Sequence, residues 1–162
     1  MKTIKSENAR LYFTLVHNQF MNGMIPHNVY IQRLVKLKDL IAKQTALYQI
    51  LQEILSTIPI EQFVDRKERQ KHLLGKSYKI ICDIANRDGG LLEFKTTFKV
   101  ADNDKFPSCP HIHDYENHCK IDVFTGIATD GTQLSNKDLV NLWNDTEFIK
   151  KIKKNRKTLE KR

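Results

Sequence analysis

The feature that most limits how this chain can fold is an apolar stripe in its first third. From position 30 to 58, apolar residues recur at alternating steps of four and three, the spacing of one face of a helix. The stripe consists of Tyr30, Leu34, Leu37, Ile41, Tyr48, Leu51, Leu55 and Ile58, with Gln44 as its polar position. This pattern predicts one long helix of about eight turns that ends before Pro59.

Three further residues widen this apolar face. Leu40, Leu47 and Ile54 form a second stripe with a spacing of seven. The combined face is broader than the seam of a two-stranded coiled coil, and we therefore expect a helical bundle. Pairing with a protein partner or a second copy along this helix is an open alternative. The residues expected to be buried are Leu37, Ile41, Leu51 and Leu55.

Helical spacing also dominates the sequence on either side of this stripe. Residues 9–21 predict a first helix, which Gly23 and Pro26 end. Residues 60–86 predict a third helical segment, stopped by Gly89 and Gly90.

The period changes after Gly90. Apolar and polar residues alternate over 92–100, which predicts a strand, and residues 111–114 and 118–124 predict a hairpin around 115–117. Ser135 with Asp138 fits a capping box for a following helix, and residues 144–146 cap a last helix. We expect an α+β fold in one domain, 1–162, with a helical half (1–90) and a half (91–162) that contains a small antiparallel sheet and a basic C-terminal helix.

Positive charge is concentrated at the C-terminus. The formal net charge is +8. Residues 150–162 contain eight Lys or Arg against one acid, a net charge of +7, so the first 149 residues carry +1. Such a segment neutralises phosphates, and we expect it to bind nucleic acid. The alternative is a solubilising last helix whose Lys and Arg residues match the negative end of the helix dipole. The expected contact residues are Lys150, Lys151, Lys153, Lys154, Arg156 and Lys157.

The residues able to carry chemistry cluster in the expected hairpin. Cys109, His111, His113, His118 and Cys119 lie within eleven positions. Because successive strand residues face opposite sides, an inward Ile112 places Ile121, Val123 and Cys119 in the core. The residues expected on the opposite face are Cys109, His111, His113, His118, Lys120 and Asp122.

Three interpretations of that face stay open. Cys109, His111, His113 and His118 could bind a structural zinc ion as the one expected cofactor, although their spacing matches no common zinc finger. In a nuclease, His111 and His113 would be the catalytic acid and base. Lys120 would then stabilise an oxyanion, and Asp122 would orient an imidazole. In the third interpretation, the histidines are surface residues without a role.

The same region resembles a known family. The matching segments are Pro110-His111-Ile112-His113, Lys120-Ile121-Asp122-Val123, Thr125-Gly126 and Leu134-Ser135 through Trp143. Over residues 91–160 they are similar to small bacterial PH-x-H α+β domains, which are often encoded beside toxin–antitoxin genes and on mobile elements. That family has an aromatic residue where this chain has Ile112. The resemblance implies an intracellular bacterial setting and a toxin-like or defence role.

These observations define two functional hypotheses. The first is a small bacterial or phage protein that binds or acts on nucleic acid, including a toxin-like or phage-defence nuclease. The second is a non-enzymatic inhibitor, antitoxin or complex subunit with a structural zinc site. An odd number of cysteines, three, favours a reducing cytoplasm over a disulfide framework. The sequence contains no apolar run of membrane-spanning length.

Overall fold

The structure is a computed structural model that describes residues 2–58, 70–71, 92–95, 111–114 and 118–160. Its helices are α1 (Ser6–Met21), α2 (His27–Leu40), α3 (Ala46–Ser56), α4 (Asn136–Asn144) and α5 (Thr146–Glu160). Its strands are β1 (Gln70–Lys71), β2 (Leu92–Lys95), β3 (His111–Asp114), β4 (Cys119–Asp122) and β5 (Gln133–Leu134). The prediction of an α+β fold with a helical front half is confirmed. No helix within these ranges has both the length and the apolar character that crossing a membrane requires.

The single long helix predicted over 30–58 is wrong, because the structure contains two helices there. At Ile41, the residue after α2, the backbone turns extended (φ −111°, ψ 160°). The Ile4 N–H donates to the Leu40 carbonyl oxygen at 2.9 Å. Thr45 then caps α3, since its Oγ1 accepts from the Tyr48 N–H at 3.2 Å. A long-range hydrogen bond and a local cap therefore interrupt a continuous helical pattern.

The apolar stripe keeps its predicted role despite this break. Leu37, Ile41, Leu51 and Leu55 are all buried, as predicted. A turn over residues 41–45 separates α2 from α3, and the two helices pack together. A short connection between packed helices thus buries the same side chains that a straight helix would present to a bundle.

The strands form two small sheets. The order β2-β3-β4 makes a three-stranded antiparallel sheet, and the predicted hairpin of β3 and β4 is confirmed. Gln70–Lys71 pairs in parallel with Gln133–Leu134, so the helix predicted over 60–86 is wrong at these two residues. The remainder of that segment lies outside the described residues, as do the hairpin tip at 115–117 and positions 96–100 of the predicted strand.

The C-terminal helices begin at the predicted caps. Ser135 Oγ accepts from the Asp138 N–H at 3.1 Å and lies 2.8 Å from the Asp138 carboxylate. Asp145 Oδ1 accepts from the Phe148 N–H at 2.9 Å. α4 buries Trp143, and the centre of its ring lies 4.7 Å from the centre of the Tyr12 ring in α1. Both halves of the chain therefore contribute to one hydrophobic core.

A hydrogen-bonded clasp joins the chain's first residues to α4. Asn144 Oδ1 accepts from the Lys5 N–H at 2.8 Å, and its amide donates to the Thr3 carbonyl at 2.9 Å. The Asn8 amide donates to the Trp143 carbonyl at 2.8 Å. These bonds span more than 130 positions in sequence and hold α1 against the C-terminal helices.

Candidate functional site

The hairpin places the predicted site residues in a definite register. His111 is opposite Asp122, His113 opposite Lys120, and Asp114 opposite Cys119. Ile112 and Ile121, also paired, are fully buried. Cys119 is buried and forms no disulfide, and strand parity predicted its burial.

The face opposite Ile112 is buried at one end and exposed at the other. His111 is 3% exposed and Asp122 6% exposed. His118 is exposed and has a positive φ of 51°, a left-handed conformation in which histidine is enriched. Lys120 is half-buried, and its backbone N–H donates to Thr129 Oγ1 at 3.0 Å. The side chain of His113 and all of Cys109 lie outside the described part of the chain.

The buried end of the hairpin contacts an arginine that the sequence analysis did not single out. Arg33 in α2 is fully buried, and its Nη2 lies 3.3 Å from Asp122 Oδ2. Its Nη1 donates to Gln19 Oε1 at 2.7 Å. The guanidinium carbon lies 4.4 Å from the centre of the Phe124 ring, within cation–π range. Arg33 therefore joins α1, α2 and β4 at one point.

A sequence signal for Arg33 does exist. Arg33 lies three positions after Tyr30 and four before Leu37, within the apolar stripe of α2. A charged residue at such a position is buried only when it has a partner. The sequence could therefore have predicted a buried ion pair, but not that its partner would be Asp122.

Tyr12 completes this buried polar cluster of Gln19, Arg33, Asp122 and Tyr12. Its hydroxyl oxygen lies 2.6 Å from the Phe124 carbonyl oxygen and 3.2 Å from that of Arg33. Asp122 Oδ1 accepts from the Phe124 N–H at 2.8 Å. Burial raises the pKa of Tyr12 well above its usual value, the Asp122 charge raises that pKa further, and Arg33 opposes the change. The neutral phenol is thus the form that the fold accommodates.

This environment bears on the catalytic hypothesis for the hairpin. Asp122 was expected to orient an imidazole, but its carboxylate contacts the Arg33 guanidinium and the Phe124 backbone. As a catalytic residue or as a surface residue, His111 would be exposed to solvent, but it is buried. A general acid or base must reach the substrate, so this burial favours a structural role for His111 and Asp122. The roles of His113 and Lys120 stay predictions.

The register also bears on the zinc hypothesis. His111 pairs at one end of the β3–β4 ladder, and His118 lies just beyond the other end. They are four residue steps apart along the hairpin, which at about 3.3 Å per residue is roughly 13 Å between backbone positions. Among the described side chains, no three His, Cys, Asp or Glu residues come together as a metal site. Because Cys109 and the His113 side chain lie outside that set, the zinc site stays a prediction.

The predicted basic residues lie on a helix that is anchored in the core. Phe148, Ile149 and Ile152 of α5 are buried, and α5 packs against α1 and α4. Lys150, Lys153 and Lys154 are exposed, at the spacing of one helical face. Arg156 is exposed and Lys151 half-buried, while Lys157 lies on α5 with its side chain outside the described set. We call Lys150, Lys153 and Lys154 the basic face of α5.

Comparisons with known proteins do not indicate a function for this chain. No protein-family model matches the chain, and neither a curated protein nor a solved structure shows significant similarity to it. The resemblance to PH-x-H domains therefore stays a prediction, and function has to be inferred from the geometry of the described residues.

Proposed function

We propose that this protein binds nucleic acid through the basic face of α5. The observation that carries the proposal is that three exposed lysines occupy one face of a helix whose other face is buried in the core. The core therefore holds the lysine backbones in place. Lysines three and four positions apart on a helix lie about 5–6 Å from one another, so neighbouring phosphates can each meet a positive charge.

The proposal assigns binding to α5 and a scaffold role to the hairpin. The burial of His111 and the ion pair of Asp122 with Arg33 support a non-enzymatic protein over a nuclease. A toxin-like or defence nuclease of the PH-x-H kind is the competing proposal. It requires His113 and Lys120 to act without His111. Cys119 is buried and forms no disulfide, which is compatible with the reducing cytoplasm that we propose as the setting.

The test measures salt dependence in a charge variant. In Lys153→Gln/Lys154→Gln, the slope of log affinity against log salt concentration should fall by about 0.7–0.9 for each lysine, the smaller value holding for single strands. The matched control is Lys5→Gln/Arg10→Gln, which removes the same charge from exposed positions outside α5. An equal change in both variants, or in neither, would contradict the proposal.

A cleavage assay separates the two proposals. The wild-type protein should bind RNA or DNA oligonucleotides without hydrolysing them. Hydrolysis that disappears in His113→Ala, with unchanged unfolding behaviour, would instead establish the nuclease.

A further inference from the structure

Folding brings together a second group of positively charged residues, which lie far apart in the sequence. Where the N-terminal segment, the end of α2 and the start of α4 meet, there is a cavity of about 240 Å³. Lys2 and Lys137 line it, together with Asn136, Asn141 and the acidic Asp39. Leu40 and Val140 supply its apolar wall. These residues come from three separate parts of a body whose net charge is only +1.

Neutral amides of the cavity lining bind two lysines, Lys2 in the lining and Lys36 beside it. Lys36 Nζ donates to Asn136 Oδ1 at 3.2 Å, and Lys2 Nζ donates to Asn141 Oδ1 at 3.5 Å. A carboxylate partner would cancel the ammonium charge, whereas an amide oxygen leaves it in place. Both amide oxygens accept from lysines. The side-chain donors of Asn136 and Asn141 are therefore their N–H₂ groups.

The positive charge continues into a neighbouring cavity. Lys38 and Lys43 line a second space of about 420 Å³, which adjoins the first at Asp39. Four lysines thus line the two cavities, and a fifth, Lys36, binds the lining residue Asn136. Asp39 is the one carboxylate among the described residues that line either cavity. The local field therefore favours an anion.

We propose that the first cavity binds a phosphate group. Ammonium groups and amide N–H groups are the donors that phosphate takes, and lysine binds it as a point charge. The volume is below the 300–1,000 Å³ of sites for drug-sized ligands, so the cavity holds one phosphate with little of what is attached to it. The phosphate comes from a free nucleotide or from a polynucleotide backbone; only the second source rests on the function proposed above.

The experiment titrates wild-type protein with inorganic phosphate, with adenosine monophosphate and with a single-stranded oligonucleotide, using calorimetry at low salt. The variant Lys2→Gln/Lys137→Gln should bind the phosphate ligand about 10-fold or more weakly. Asp39→Asn should bind it more tightly, since repulsion is removed. The control Lys5→Gln/Arg10→Gln should behave as wild type, and thermal unfolding checks that each variant is folded.

The outcomes separate the two sources and the two proposals. Weaker binding of phosphate and monophosphate in Lys2→Gln/Lys137→Gln assigns the site to a free ligand. Weaker binding of the oligonucleotide alone assigns it to a backbone phosphate. Equal affinity of wild type and this variant for all three ligands would overturn the inference. Because Lys153→Gln/Lys154→Gln leaves this cavity intact, failure of the α5 proposal would appear separately.

Discussion

At the scale of single residues, the stability of the fold depends on the buried ion pair between Arg33 and Asp122. Breaking a buried ion pair leaves an uncompensated charge in the core, at a cost of about 3–5 kcal/mol. We expect Asp122→Asn to lower the free energy of unfolding in urea by an amount in or near that range. Arg33→Met/Asp122→Asn should be destabilised by less than the sum of the two single variants, because no charge remains buried. Additivity within about 0.5 kcal/mol would contradict a coupled pair.

The raised pKa of Tyr12 predicts how the stability of the protein changes at alkaline pH. Its folded-state pKa lies well above 10.0, the usual value, so above about pH 10 the unfolded state loses the phenolic proton while the folded state keeps it. This contribution to stability is complete below pH 10 and is lost as the pH rises, by up to about 1.4 kcal/mol per pH unit.

Tyr12→Phe isolates this effect. It should cost about 1 kcal/mol at pH 7, through the lost hydrogen bond, and should show a shallower decline in unfolding free energy above pH 10 than wild type. Identical slopes from pH 9 to 11 would argue against a buried neutral phenol.

Two glycines after the hairpin form a matched pair for mutation. Gly126 and Gly131 have φ values of +75° and +82°, which disfavour a side chain equally. A Cβ at Gly126 would lie 3.0 Å from Leu134 Cβ and from Leu139 Cδ1, whereas one at Gly131 would meet nothing within 4 Å. We expect Gly131→Ala to cost about 1 kcal/mol and Gly126→Ala to cost clearly more, measured by chemical unfolding. Equal costs would show that Leu134 and Leu139 move aside without penalty.

At the scale of elements, α3 has one buried and one exposed apolar side. Leu51 is fully buried, while the adjacent Ile50 is 46% exposed. Leu51→Ala should lower the free energy of unfolding by about 2–5 kcal/mol. Ile50→Ala, its control on the same helix, should cost about 1 kcal/mol or less. A loss below about 1 kcal/mol for Leu51→Ala would mean that the packing of α3 differs from this structure.

Elements defined by neighbouring residues could be predicted from the sequence. The cap of Ser135 on α4, the hairpin and the buried side of the stripe all depend on spacing over a few positions. The break at Ile41 could not, because the Leu40 carbonyl is bound by Ile4, which is remote in sequence. Thr45 was the local hint, since threonine is a good helix cap and a poor residue inside a helix.

At the scale of the whole molecule, the candidate site also depends on contacts between residues that are remote in sequence. Strand parity correctly placed Cys119 inward and grouped His111 with Asp122. It could not show that this opposite face is also covered, because Arg33 reaches Asp122 from α2 and itself binds Gln19 of α1. The sequence likewise does not predict that these lysines lie around one cavity, because Lys2 and Lys137 become neighbours only through tertiary folding.

The clasp between Asn144 and the first residues has a consequence for how the protein is made. A ribosome completes α1 more than a hundred residues before it adds Trp143 and Asn144, which cover Tyr12 and bind Thr3 and Lys5. At about 5–20 residues per second, the apolar side of α1 waits on the order of ten seconds for its cover. We expect stalled nascent chains whose first 58 residues have left the ribosome to be cleaved rapidly by added protease, and released full-length chains to resist it. Equal resistance would mean that the first three helices are stable before the end of the chain arrives.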